Sequence, residues 1–168
     1  MNNIVTISEI SAKLIDVLSA KGLRLSTAES CTGGLVASSI IEHSGASQVF
    51  YEGLVTYSNE AKRERLGVNA TILAQVGAVS QEAAEAMAKG CLGPNCEIAV
   101  STTGIAGPSG GTEQKPVGLV WFAVALKTPE KIVIESEKQV FSGNRTEIRQ
   151  QATRYALALA LQYIDKHL

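Results

Sequence analysis

Four stretches of this chain place small polar side chains, glycines or a single cation where a strand should give way to a helix or loop. The first is Thr27-Ala28-Glu29-Ser30-Cys31-Thr32-Gly33-Gly34, which leads from a short strand into an apolar helix. A serine in such a turn presents its hydroxyl beside helix-N-terminal amides, which stabilise an anion. That arrangement serves an attacking serine with an oxyanion hole, or a phosphate cradle. Ser30 or Thr32 would equally serve as a plain N-cap, with the glycines fitting a tight turn. Spacing alone leaves these readings open.

The second stretch is Thr56-Tyr57-Ser58-Asn59-Glu60-Ala61-Lys62. A strand-end tyrosine and a lysine five residues on, in the first turn of a helix, can face one cleft. A desolvated lysine loses its charge more readily and becomes a base for a serine, and the Tyr57 hydroxyl can relay a proton or hold a tetrahedral intermediate. Lys62 also reads as an ordinary solvated lysine. The third stretch, Ser101 to Gly111, lacks the Lys-Ser/Thr ending of a phosphate-binding P-loop and does not space its glycines as a dinucleotide fold does. It is either a close-approach ligand loop or a long surface connection. The fourth, Phe141-Ser142-Gly143-Asn144-Arg145, sets Arg145 at a helix start, ready for a phosphate or carboxylate, or else only an Asn144 cap beside a solvated arginine.

What the composition lacks narrows the chemistry further. The two histidines are His43 and His167, and the two aspartates, Asp16 and Asp165, fall on segments that read as surface helices, so a Ser-His-Asp triad has little to draw on. Cys31, Cys91 and Cys96 form no CxxC pair and there is no HExxH, so no metal site is expected. Cys91 and Cys96 read as packing residues, and Cys31 as a small turn residue short of a partner to activate it. Net charge is −1, with 15 basic and 16 acidic residues interspersed, which argues against a nucleic-acid partner. The longest apolar run, Val117 to Leu126, is too short for a bilayer. With no signal peptide and sparse cysteines, a cytoplasmic protein is expected.

Positioning these groups requires an alternating set of elements. Thr6 and Glu9 form a capping box ahead of a stripe of Ile7, Ile10, Leu14, Val17 and Leu18, and Gly22 stops that helix. Strands are expected at Leu23–Ser26, Gly53–Tyr57, Glu97–Thr102, Val117–Lys127 and Lys131–Phe141, the last two joined as a hairpin through Thr128-Pro129-Glu130. A helix apolar on all sides, hence buried between layers, is expected from Leu35 to about Ile41. A short polar helix follows over about 59–65, and Asn69 and Ser80 cap two more. Ile148, Ala152, Tyr155, Leu159 and Tyr163 mark the inner face of a long C-terminal helix. The expected architecture is α/β: one domain over residues 1–168, with a mixed sheet covered by helices on both faces. At 168 residues and 45% hydrophobic content no metal or disulfide is needed for stability, and 5% aromatics with 15 glycines point to small-residue packing.

Taken in order, the quoted motifs, together with Gly77-Ala78-Val79-Ser80, Gly104-Ile105-Ala106-Gly107-Pro108, Gly110-Gly111 and Lys115-Pro116-Val117-Gly118, closely resemble the CinA C-terminal domain family over almost the whole chain. Asn144 stands where an acidic residue is often seen. The resemblance implies a three-layer α/β/α sandwich, a stand-alone protein, and hydrolysis of nicotinamide mononucleotide to nicotinate mononucleotide and ammonia without a cofactor. It implies Ser30 as nucleophile, assisted by Lys62 and Tyr57. Backbone amides from Cys31 to Gly34 are expected to hold the oxyanion. Thr103, Gly104, Gly107 and Arg145 are the candidates for ribose and phosphate, and Glu29, Thr32 and Asn59 complete the expected substrate-binding set. A homo-oligomer is expected. The alternatives are a non-catalytic pyridine-nucleotide-binding module associated with competence or DNA repair, and an amidase for another small carboxamide.

Overall fold

The computed structural model describes residues 5–168. Helix α1 (Ile7–Lys21) opens on the expected capping box: the Thr6 hydroxyl accepts the Glu9 amide while the Glu9 carboxylate accepts the Thr6 amide. It ends at Gly22, whose φ of 64° lies in the left-handed region. There follow β1 (Leu25–Glu29), α2 (Leu35–Ile41), α3 (Ala46–Val49), β2 (Phe50–Val55), α4 (Asn59–Leu66), α5 (Ala70–Gln75) and α6 (Gln81–Gly90). Strands β3 (Ile98–Gly104), β4 (Leu119–Lys127) and β5 (Ile132–Val140) and helix α7 (Arg145–His167) complete the chain.

The strands form one mixed sheet in the order β2-β1-β3-β4-β5. Strand β1 runs parallel to β2 and β3, whereas β4 is antiparallel to both β3 and β5. Helices α1, α2 and α7 cover one face, and α6, backed by α4, covers the other. The result is a three-layer α/β/α sandwich.

Side-chain alternation along the strands makes the two faces unlike. Ile98, Val100, Val120, Phe122, Val124 and Leu126 point toward α1 and α7, where they join Leu14, Leu18, Ile148 and Leu157. Ala99, Ala123 and Ala125 point the other way, toward Met87, Ala84 and Ala88 of α6. The alanines let α6 sit close enough for the Ser101 hydroxyl to reach the Ala84 carbonyl at 2.7 Å. Low aromatic content thus translates into one large-residue core and one alanine seam.

Three expectations need correction. Strand β1 runs over Leu25–Glu29 rather than Leu23–Ser26, because its pairing with β2 and β3 continues through Glu29, so the turn begins at Ser30. Helix α2 is not buried on all sides: Val36 and Ile40 are buried, but Ile41 is 60% exposed, because the helix lies over the sheet margin with its outer side in solvent. Strand β2 begins at Phe50 and ends at Val55, preceded by the short α3, so Tyr57 lies beyond the strand. Pairing with β1 runs one step further, through the Thr56 amide to the Glu29 carbonyl at 2.9 Å, before the chain turns into α4. Among the described residues, no helix is long and apolar enough to cross a membrane.

Candidate active site

The parallel strands β1 and β3 end on the same edge of the sheet, where open α/β folds collect their ligands. Glu29, the last residue of β1, is 1% exposed, and its carboxylate takes over the N-terminus of α2. One oxygen accepts the Gly34 and Val36 amides at 3.0 and 3.1 Å and the Thr32 hydroxyl at 2.7 Å, and the other accepts the Ala37 amide at 2.9 Å. Helix amides that lack an intrahelical partner are thereby satisfied by a side chain from the neighbouring strand. The N-cap position itself is Gly34, which has no side-chain cap. Ser30 therefore does not cap α2, and its hydroxyl is left for other work.

The turn that carries Ser30 is tight. The Gly33 amide donates to the Ser30 carbonyl at 3.1 Å and the Leu35 amide to the Thr32 carbonyl at 3.3 Å. Gly33 has φ of 61°, a conformation that favours glycine. Of the four amides expected to hold an oxyanion, those of Gly33 and Gly34 are thus committed to the fold. Among the described residues, neither the Cys31 amide nor the Thr32 amide has a backbone partner.

Lys62 comes to Ser30 from α4. Ser58 caps that helix through the Ala61 amide, and Lys62 follows on its first turn. Its side chain is 1% exposed, and its Nζ lies 3.1 Å from Ser30 Oγ, 2.8 Å from the Thr56 carbonyl and 3.2 Å from the Tyr57 carbonyl. Burial lowers its pKa from the usual 10.5; the nearby Cys31 thiol acts weakly in the opposite sense. Among the described residues no carboxylate pairs with it, and the Glu29 carboxylate is engaged on α2. A neutral amine has two N–H donors and one lone pair. As an ammonium, Lys62 donates to all three oxygens; once neutral, with both carbonyls keeping its donors, it would turn its lone pair to the Ser30 hydroxyl. Cys31, by contrast, is unsuited to attack: burial, reinforced by the Glu29 charge, pushes its thiol up to about 12.

Ser30, Cys31, Tyr57, Lys62, Thr103, Gly104 and Arg145 line one cavity of about 200 Å³, closed by Ala78, Val79 and Ala106. The Tyr57 hydroxyl is not on the serine or the lysine. It accepts from Arg145 Nη2 at 3.3 Å, while Arg145 Nη1 donates to the Gly107 carbonyl at 2.8 Å. Arg145 is thus held beside the cavity rather than free in solvent, and Asn144 caps α7 together with Glu147. The Asn144 cap is thus present, and the arginine beside it, though exposed, is tied to Tyr57 and Gly107.

Other expected contacts fall elsewhere. Glu29, Thr32, Gly33 and Gly34 build the turn, and their side chains do not line the cavity: the Glu29 carboxylate is turned to α2 and the Thr32 hydroxyl to Glu29 and Thr102. Asn59 is exposed on the first turn of α4. The Thr103 hydroxyl donates to the Ala78 carbonyl at 2.7 Å, so it is no longer a donor for phosphate, and Gly107 contributes its carbonyl to Arg145. Sequence reasoning missed Arg149, which donates from Nε to the Cys31 carbonyl at 3.0 Å and from Nη2 to the Thr32 carbonyl at 2.9 Å. Its signal was the spacing: four residues after Arg145, it occupies the same helix face.

This fold and cavity define a three-layer α/β protein that buries a serine–lysine pair at the carboxyl ends of its parallel strands. The chain belongs to the CinA C-terminal domain family, whose sequence pattern matches residues 7–164. It is 49% identical over 150 residues to the nicotinamide-nucleotide amidohydrolase PncC of Escherichia coli (strain K12), covering 89% of each chain. It is 51% identical over 163 residues to a Clostridium beijerinckii protein named for competence-damage induction, covering 96% of this chain but 38% of that one. The chain therefore spans little over a third of such longer relatives. The crystal structure of the competence damage-inducible protein A from Klebsiella pneumoniae superposes with a TM-score of 0.92 at 35% identity, covering 98% of this chain and all of that one.

Proposed function

We propose that this protein is a nicotinamide-nucleotide amidase, hydrolysing the carboxamide of nicotinamide mononucleotide through Ser30 and Lys62. The observation that carries the reading is the 3.1 Å approach of a buried, carboxylate-free lysine to the serine of a strand-end turn. The similarity to amidohydrolases of matching length supports the substrate.

Neutral Lys62 removes the Ser30 proton as Oγ attacks the carboxamide carbon. The oxygen of the tetrahedral intermediate lies against the Cys31 and Thr32 amides; losing one such donor raises a barrier by about 3 kcal/mol. The Lys62 ammonium returns its proton to the departing nitrogen, ammonia leaves, and the nicotinoyl group remains esterified to Ser30. Lys62 then deprotonates the water that cleaves the ester, releasing nicotinate mononucleotide and restoring the serine. Every step is assigned to the chain's own residues and water. Because Lys62 reaches Ser30 directly, Tyr57 serves through its carbonyl and through Arg145 rather than as an obligatory relay.

The phosphate is assigned to Arg145 and to the first amides of α7. They border an adjoining cleft of about 330 Å³ that shares Ala106 and Arg145 with the catalytic cavity. A homo-oligomer belongs to the same proposal, supported by the exposed Ile41 and Val55, and sedimentation velocity tests it. The reaction is tested by ammonia release from purified protein given nicotinamide mononucleotide, with Ser30→Ala alongside. Release lost in the variant is expected. Binding without release by folded wild-type protein would favour the non-catalytic nucleotide-binding module. Equal release from free nicotinamide would favour an amidase of other carboxamides.

A further inference from the structure

We propose that Arg149 is a positioning residue for the reaction: its guanidinium fork holds the Cys31 and Thr32 carbonyls and thereby aims an oxyanion-holding amide at the Ser30 adduct. This rests on the reading of Ser30 as nucleophile. In a planar trans peptide the carbonyl and the next N–H point in opposite directions. The only cis peptide among the described residues is Gly107–Pro108, so this geometry holds through the Ser30 turn. Arg149 Nε on the Cys31 carbonyl at 3.0 Å therefore directs the Thr32 N–H away from α7. The Gly33 amide on the Ser30 carbonyl at 3.1 Å fixes the preceding peptide and directs the Cys31 N–H away from Gly33.

Arg149 also reaches the Thr32 carbonyl at 2.9 Å, so one rigid, half-buried fork restrains two successive peptide planes. Gly33 keeps that approach open, since a Cβ there would lie 3.1 Å from Arg149 Nη2. Arg149 does not itself line the cavity; its effect passes through the Cys31 carbonyl and the turn. Removing it frees the peptide planes to rotate, which weakens the amides most where charge develops, in the transition state, and least in the ground state.

The test compares Arg149→Ala and Arg149→Lys with wild type and Ser30→Ala. It measures kcat and KM for nicotinamide mononucleotide and the affinity for nicotinate mononucleotide. Arg149→Ala is expected to lower kcat about 100-fold, the loss typical of one oxyanion donor, with KM and product affinity within about threefold. Arg149→Lys, which keeps the charge but not the fork, falls between, and millimolar guanidinium partly restores Arg149→Ala. The inference is overturned if kcat stays within about threefold of wild type, or if KM and product affinity worsen in step with kcat and guanidinium restores nothing. Should Arg149→Ala melt below assay temperature, Arg149→Lys decides by the same split. Near-normal turnover in Ser30→Ala removes the nucleophile reading and this inference with it. A dead Ser30→Ala beside fully active Arg149 variants removes only this inference.

Discussion

Lys62 Nζ sits 3.1 Å from Ser30 Oγ, and two main-chain carbonyls, those of Thr56 and Tyr57, occupy its remaining hydrogen-bonding directions. Residues 32 apart in sequence meet because β1 and β2 are adjacent and parallel. The turns that follow the two strands consequently emerge side by side. An amine in this setting has no paired carboxylate among the described residues to hold its proton, so burial is what sets its basicity.

The acid limb of activity should therefore report Lys62. Its lowered pKa means that kcat/KM rises with pH as the amine loses its proton, at a pH below the usual lysine value of 10.5. Lys62→Met should lower kcat by at least about 100-fold. Stability gives an independent check. The folded state holds the proton less tightly than the unfolded chain, so the cost of burying the charge is full below the folded pKa and fades as pH climbs toward 10.5. Denaturant unfolding at a series of pH values should show wild type gaining on Lys62→Met as pH rises; a constant difference would contradict the shift.

Cys31 adjoins the nucleophile yet should be chemically silent. With its thiol pushed up to about 12, the thiolate is scarce at neutral pH. Native protein should resist iodoacetamide at this position, as judged by peptide mass spectrometry, and Cys31→Ala should keep turnover within about threefold. Loss of activity in Cys31→Ala would point to a different nucleophile.

Glu29 should matter first to stability. Glu29→Ala leaves the Gly34, Val36 and Ala37 amides without their acceptor at the start of α2, while the Thr32 hydroxyl keeps Thr102. A loss of about 3 kcal/mol or more is expected in urea unfolding. A change below about 0.5 kcal/mol would mean that α2 finds other acceptors.

Arg145 should separate the phosphate from the chemistry. Arg145→Gln is expected to raise KM for the mononucleotide about 10- to 100-fold, the worth of one charge-assisted hydrogen bond. Turnover of nicotinamide riboside, which has no phosphate, should hardly change. Tyr57→Phe removes only the hydroxyl that meets Arg145, so kcat should fall less than about tenfold. A collapse of kcat in Tyr57→Phe would restore the tyrosine as a proton relay.

Local chemistry made much of this protein legible in its sequence. The Thr6–Glu9 box, the Gly22 stop and the Asn69, Ser80 and Asn144 caps lie within three or four residues of what they satisfy, so they are local events. Hairpin β4–β5 is legible for the same reason. The scarcity of histidine and aspartate directed attention to Lys62, and Asp16 and Asp165 are indeed exposed on α1 and α7. Helix α2 was less legible, because its apolar run of seven does not say that one side would face solvent.

The residue types available for chemistry, and the turns on which they sit, were determined by the sequence itself, because capping, turn geometry and apolar periodicity act over a few bonds. Which polar groups remain free was decided by the tertiary structure alone. Glu29, Thr32, Thr103 and Gly107 look like ligand contacts in the sequence. Folding, however, brings α2, the Ala78 carbonyl and Arg145 within hydrogen-bonding distance, and those nearby groups take their polar atoms first. Burial of Lys62 and the reach of Arg149 across 117 residues to the Thr32 carbonyl depend likewise on β1, β2 and α7 packing together. Desolvation and long-range hydrogen bonding exist only once the layers have closed, and at this site they determine which groups stay available for substrate.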